Sequence, residues 1–228
     1  TNNYNTAVGY ASLTSTVGGG GNTAMGHESL YANATTSNNT GIGYQAGFYT
    51  TGADNTYLGY SAGKGAAGAD TNNVGVGSGS LLAVTTGSYN VAVGSACLDA
   101  LTTGGSNVAI GYAALSAAGA GESSNIAIGE SSMTSADEGS GSGNAINTNI
   151  AIGVNSLTGG DFGSTGSRTL VDNIAIGANA LNSTGVNSQT GTVAIGRDAL
   201  TALTSGAGNT AVGFSALMTN TDGFNNTA

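Results

Sequence analysis

A five-residue unit recurs twelve times and leaves the chain few folds to choose from: Asn, a β-branched residue, a small residue, a larger apolar residue, then Gly. Copies begin at Asn5, Asn22, Asn39, Asn55, Asn73, Asn90, Asn107, Asn125, Asn149, Asn173, Thr192 and Asn209, and a thirteenth opens at Asn226. Successive starts are 17, 17, 16, 18, 17, 17, 18, 24, 24, 19, 17 and 17 residues apart. A period this short cannot house a pair of helices. It suits one coil of a parallel β-solenoid or β-roll, which lengthens by adding units and not by enlarging one core. Residues 1–228 are therefore read as one all-β repetitive segment of about twelve coils, with the long-loop coils at 125–172.

Each column of the repeat has a physical reading. Position two is always Thr, Val or Ile, and position four is always a larger apolar residue, from Val8 to Val212. On a strand these two share a face, and β-branched residues suit a packed sheet surface. Position three points the other way and is Ala or Gly in eleven copies, with Tyr57 the exception. So little bulk implies a close approach to that face, by a second layer or by another chain. Position five is always glycine: Gly9, Gly26, Gly43, Gly59, Gly77, Gly94, Gly111, Gly129, Gly153, Gly177, Gly196 and Gly213. A glycine there marks a corner that needs positive φ or close backbone approach. Position eight is Ala, Ser or Cys, and position nine is Leu or Met except at Gly47 and Gly63. These two positions read as a second short strand whose Leu turns inward. The Asn column is expected to form a ladder of amides about 4.8 Å apart, hydrogen-bonded along the stack. Twelve coils at that spacing predict a rod of roughly 55–60 Å, with both ends read as cuts within a longer fibre.

Composition excludes several classes of function. Three basic residues against twelve acidic ones give a formal charge of −9, which disfavours nucleic acid and anionic membranes as partners. No apolar run is long enough for membrane insertion by this segment. All fifteen charges fall outside the five-residue strands and read as a solvated rim. Cys97 is the lone cysteine and reads as a small buried filler, with a reactive thiol the alternative. With one Cys and one His (His27) the chain offers no zinc set and no nucleophile–base pattern, so no catalysis is expected. No cofactor is implied, apart from calcium clipped between acidic loops.

Two features remain as candidate binding sites. Position six carries Tyr10, His27, Tyr44, Tyr60, Tyr112 and Phe214, a row of rings that could stack on a glycan or a protein. Packing against a neighbouring coil or chain competes with that reading. The tails 134–148 and 158–172 belong to adjacent coils and should protrude on one side, carrying Asp137, Glu138, Asp161, Phe162, Arg168 and Asp172. Surface insertion without function is the alternative there.

The runs Ser106-Asn107-Val108-Ala109-Ile110-Gly111, Ser124-Asn125-Ile126-Ala127-Ile128-Gly129 and Asn149-Ile150-Ala151-Ile152-Gly153 resemble the head repeat of trimeric autotransporter adhesins of the YadA type. Similar repeats occur in phage and viral tail fibres. The resemblance covers nearly the whole chain. It implies a left-handed parallel β-roll, a homotrimer around a common axis, and an extracellular place on a bacterial surface or virion. It also implies adhesion to a host or matrix protein or glycan. The sequence departs from that family in having Asn where Ser is common, longer coils, and no stalk or anchor. A tail-fibre shaft is the main alternative. An ice-binding solenoid is a minor one, because Thr fills position two only near the two ends. The thin core of one coil favours self-association, with the small-residue face expected to be buried against copies of the chain.

Overall fold

The computed structural model describes residues 4–66, 68–136, 145–159, 169–184 and 187–228. Its strands are β1 (Thr6–Val8), β2 (Thr23–Met25), β3 (Thr40–Ile42), β4 (Thr56–Leu58), β5 (Val74–Val76), β6 (Val91–Val93), β7 (Val108–Ile110), β8 (Ile126–Ile128), β9 (Ala145–Asn147), β10 (Ile150–Ile152), β11 (Thr169–Val171), β12 (Ile174–Ile176), β13 (Gln189–Thr190), β14 (Val193–Ile195) and β15 (Thr210–Val212). Twelve of them form one parallel sheet in chain order, each pairing in register with its equivalent one repeat later. The chain is thus an all-β parallel solenoid, one sheet strand per coil. The remaining three, β9, β11 and β13, make a second parallel sheet in the order β13-β11-β9, where the tails of the long coils return to the rod.

The sheet is turned the opposite way from the sequence reading. Position three is the inward face: Ala24, Ala92, Ala109, Ala127, Ala151, Ala175, Ala194 and Ala211 are fully buried. Positions two and four look outward and stay partly exposed, as at Ile110 and Ile152. The physical reason lies in the coil's narrow interior. The space opposite each strand is filled by the position-nine side chain, such as Leu98, Leu115 or Leu157, all buried. A strand residue facing that Leu has room only for a methyl group.

Tyr57 shows the same volume rule in reverse. It is the one bulky position-three residue, and its ring is fully buried. It occupies the room left by Gly47 and Gly63, the two coils without Leu. A Cβ at Gly63 would overlap the Tyr57 ring, and one at Gly47 would sit 3.1 Å from it. The three exceptions noted in separate columns are one packing event.

Positions six to eleven form no second strand. They make a tight turn in which positions seven and nine are left-handed, for example Ala113 at φ 52° and Leu115 at φ 50°. Leu in that conformation is strained by about 1–2 kcal/mol, which burying its side chain offsets. A third left-handed residue precedes each Asn, which accounts for Gly21, Asn38, Asp54, Asn72 and Ser106 at that point. The turns still bond from coil to coil, as Leu98 N–H does to Ala114 O at 3.1 Å.

The Asn column is buried inside the rod. Each Oδ1 accepts the backbone N–H of the next Asn, from Asn22 on Asn5 at 2.8 Å to Asn173 on Asn149 at 3.1 Å. Each Nδ2 donates to a carbonyl in the following loop, Asn73 to Gly87 and Asn107 to Glu122, both at 2.8 Å. Thr192 interrupts the column, and its hydroxyl is buried without a partner. Gln189 takes over the missing bond, its amide nitrogen donating to Gly206 O and its oxygen accepting from Ser205 N–H at 3.1 Å. Gln189→Ala is expected to lower stability by about 1–3 kcal/mol. Adding Thr192→Asn to that variant should recover most of the loss. Denaturant midpoints of the single and double variants read both effects.

Candidate functional site

The first candidate surface is the outer face of the long sheet. Its two files start at Thr6 and Val8 and end at Thr210 and Val212. They hold only Thr, Val, Ile, Leu and Met, and none of the twenty-four residues is fully buried. Exposure is 57% at Val212, 51% at Val8, 46% at Met25 and 44% at Leu58. In-register pairing places Val upon Val and Ile upon Ile, so the face is continuous. Strands about 4.8 Å apart and side-chain files about 7 Å apart give a largely apolar strip of roughly 400 Å². Soluble monomers seldom leave a larger contiguous patch uncovered.

The position-five glycines form the edge of this face. Gly111 has φ 138°, and a Cβ there would lie 2.5 Å from Gly129 O. From Gly9 to Gly196 the same test places an added Cβ 2.6 Å or less from a backbone atom of the next glycine in the column. Both reasons foreseen for these glycines, positive φ and close approach, act together at each corner.

The aromatic column lies just beyond that edge. Tyr10, His27, Tyr44 and Tyr60 stack into a ladder with centroids 5.1, 5.3 and 5.2 Å apart and planes within 24°, 15° and 9°. A second stack joins Tyr31 and Phe48 at 4.9 Å, with Tyr49 edge-on to Phe48 at 4.5 Å. Rings stacked on one another spend their faces on cohesion and turn their edges to solvent. A sugar's C–H face needs a free ring face. Tyr112 stands apart between Ser95 and Glu130 in the column and is 61% exposed, so its faces are not taken up by other rings. Phe214, 75% exposed, follows Arg197 in the same column. Glu28 anchors the ladder's flank, accepting from Gln45 Nε2 at 2.7 Å and lying 3.5 Å from His27 Nδ1.

Asp137, Glu138, Asp161, Phe162 and Arg168 lie outside the described residues. Asp172 is exposed and accepts a 2.6 Å bond from the Thr148 hydroxyl of the preceding coil. Among the described residues, no group of three or more His, Cys, Asp or Glu side chains could hold a metal ion. No helix among them is long and apolar enough to cross a membrane. Cys97 is buried, its thiol donating to Ala109 O at 3.2 Å and pushed up to about 12 by burial, so it is held as the unreactive thiol.

The solvated-rim reading fails at two acids. Asp70 and Glu122 are buried. Both sit three residues before an Asn, in a column that sequence reading missed: Gly52, Asp70, Gly87, Gly104, Glu122, Ile146, Leu170 and Gln189. Its carbonyls receive the Asn amides. Counting back from each Asn, and not forward across loops of unequal length, brings this column into line.

The chain matches no protein-family model, and no curated protein matches it significantly.

Proposed function

We propose that this chain is a segment of a homotrimeric fibre on the surface of a cell or virion, with a structural and adhesive role and no catalysis. The outer face of the long sheet carries this reading. It is uncharged and largely apolar over the length of the sheet, while the inward faces of the strands are packed inside the coils. Three such faces turned onto a common axis would remove them all from water, and closed cyclic symmetry would stop further growth. The resemblance to YadA-type head repeats supports the number three. In that arrangement the turns point outward, and the ring of Tyr112 is available to a host or matrix protein or glycan.

The test uses two neighbouring residues of β7. In light scattering the intact chain is expected at three times its 21.7 kDa mass. Ile110→Asp, which adds a charge to the outer face, should reduce that to one chain while the β-sheet circular dichroism persists. Ala109→Asp, which buries the charge inside the coil, should remove the β signal itself. A monomeric wild type at tens of micromolar would sink the trimer.

A further inference from the structure

Of the two buried acids, Asp70 is the one that meets a buried phenol, that of Tyr57. The phenol donates to Asp70 Oδ2 at 2.5 Å, with Tyr57 fully buried and Asp70 only 2% exposed. The pair lies at the junction of the coils that carry β4 and β5. Gly47, Gly63 and Gly75 all border the ring, so no side chain at those positions could take its place. Around the carboxyl the backbone is tight as well, since a Cβ at Gly52 would collide with Asp70 O. Other titratable groups on the three adjoining coils are Tyr44, Tyr49, Asp54, Tyr60, Lys64 and Tyr89, and none contributes a charge to the Asp70 carboxyl. Tyr49, Asp54, Tyr60 and Tyr89 are exposed and Lys64 is half-buried. The carboxyl therefore has a phenol for a partner and no cation.

We propose that Tyr57 and Asp70 form a proton-dependent clasp: the β4–β5 junction is firm while Asp70 is protonated and loosens once it ionises, because the phenol bond, though stronger to a carboxylate, falls short of the cost of burying an unneutralised charge, which makes that junction the pH-responsive joint of the rod. An ionised carboxylate at this point sits in a desolvated cavity with uncharged donors alone, the Tyr57 phenol, the backbone N–H groups of Asp70 and Gly52 and the Asn73 amide, and has no neutralising charge. Burial raises the Asp70 carboxyl from 3.8 to about 6, against the weaker opposing pull of hydrogen bonds from Tyr57, the Asp70 and Gly52 backbone and Asn73. The phenol is raised in turn, by its own burial and then by the Asp70 charge. The folded state thus holds the proton more tightly than the unfolded chain. The clasp's stabilisation is complete below the unfolded value and is lost as pH rises through the folded one.

Hydrogen exchange on the full chain, corrected for the intrinsic pH dependence of exchange, tests this directly. Between pH 4 and pH 7 the protection of the Thr56 and Val74 amides should fall roughly 100-fold, while that of Ile174 on β12 stays level. In Asp70→Asn, which keeps an acceptor for the phenol, the fall should vanish. Equal losses at Thr56 and Ile174, or an unchanged loss in Asp70→Asn, would overturn the clasp. The side-chain carboxyl ¹³C resonance of Asp70 in the wild type provides a second reading that needs no variant. A titration midpoint near 6 supports the clasp, and one at the ordinary carboxylate value overturns it.

Discussion

Gly111→Ala should be the most damaging small substitution in the rod, lowering stability by about 4–6 kcal/mol and driving part of the chain into aggregates at 37 °C. Two costs combine at this site. The φ of 138° falls where side chains carry a penalty of about 1–3 kcal/mol. The new methyl would also sit 2.5 Å from Gly129 O, too close for contact, so two coils would have to part. Parting them strains the bond from Gly129 N–H to Ile110 O, now 2.8 Å, and the equivalent bonds along the column. Gly191→Ala is the control. Gly191 also has positive φ, 62°, but nothing lies within 4 Å of an added Cβ, so the loss should be about 1 kcal/mol. Thermal melts of both variants measure the difference. Similar losses would mean that backbone strain alone, and not coil spacing, explains the glycine column.

Asn107→Ala should cost about 3–5 kcal/mol, well beyond the usual effect of shortening a side chain. The Asn107 amide works in both directions. Its Oδ1 accepts Asn125 N–H at 3.0 Å and Asn125 Nδ2 at 3.3 Å. Its Nδ2 donates to Asn90 Oδ1 at 3.0 Å and to Glu122 O at 2.8 Å. Alanine removes the acceptor of the buried Asn125 N–H and the amide donor to the Glu122 carbonyl. Asn107→Asp separates the two halves of the job, because it keeps the acceptor and loses the donor. It should be at least as harmful as alanine at pH 7, where the buried carboxylate is charged, and milder at pH 4. A denaturant midpoint for Asn107→Ala within ~0.5 kcal/mol of wild type would show that the ladder is dispensable.

Much of this was legible from the repeat. A constant Asn, a constant Gly and a β-branched column at a period near 17 residues led to a parallel solenoid with in-register amides and a tight corner. The alternation of Val108, Ala109 and Ile110 also showed that each strand has two unlike faces. It could not show which face was inside. Bulk usually marks the core, and that rule pointed the wrong way because it weighs each strand alone. The inside of a coil is shared between the strand and the turn, and Leu115 had already claimed it. The turn itself was misread as a strand because left-handed residues at Ala113 and Leu115 have no compositional mark: Ala and Leu are poor candidates for positive φ.

The sequence by itself determined the repeat, its register and its corners, because these depend on local backbone needs that recur in every coil. Only Asn, so placed, offers both an acceptor to the next coil's N–H and a donor to its loop, and only Gly tolerates the corner. The tertiary structure decided everything that depends on a shared volume. It set which face of the sheet is core, why Tyr57 belongs with Gly47 and Gly63, how Gln189 serves in place of an Asn at 192, and which two acids are buried. Those outcomes follow from how much space one coil leaves to the next, a quantity that no single column of residues contains.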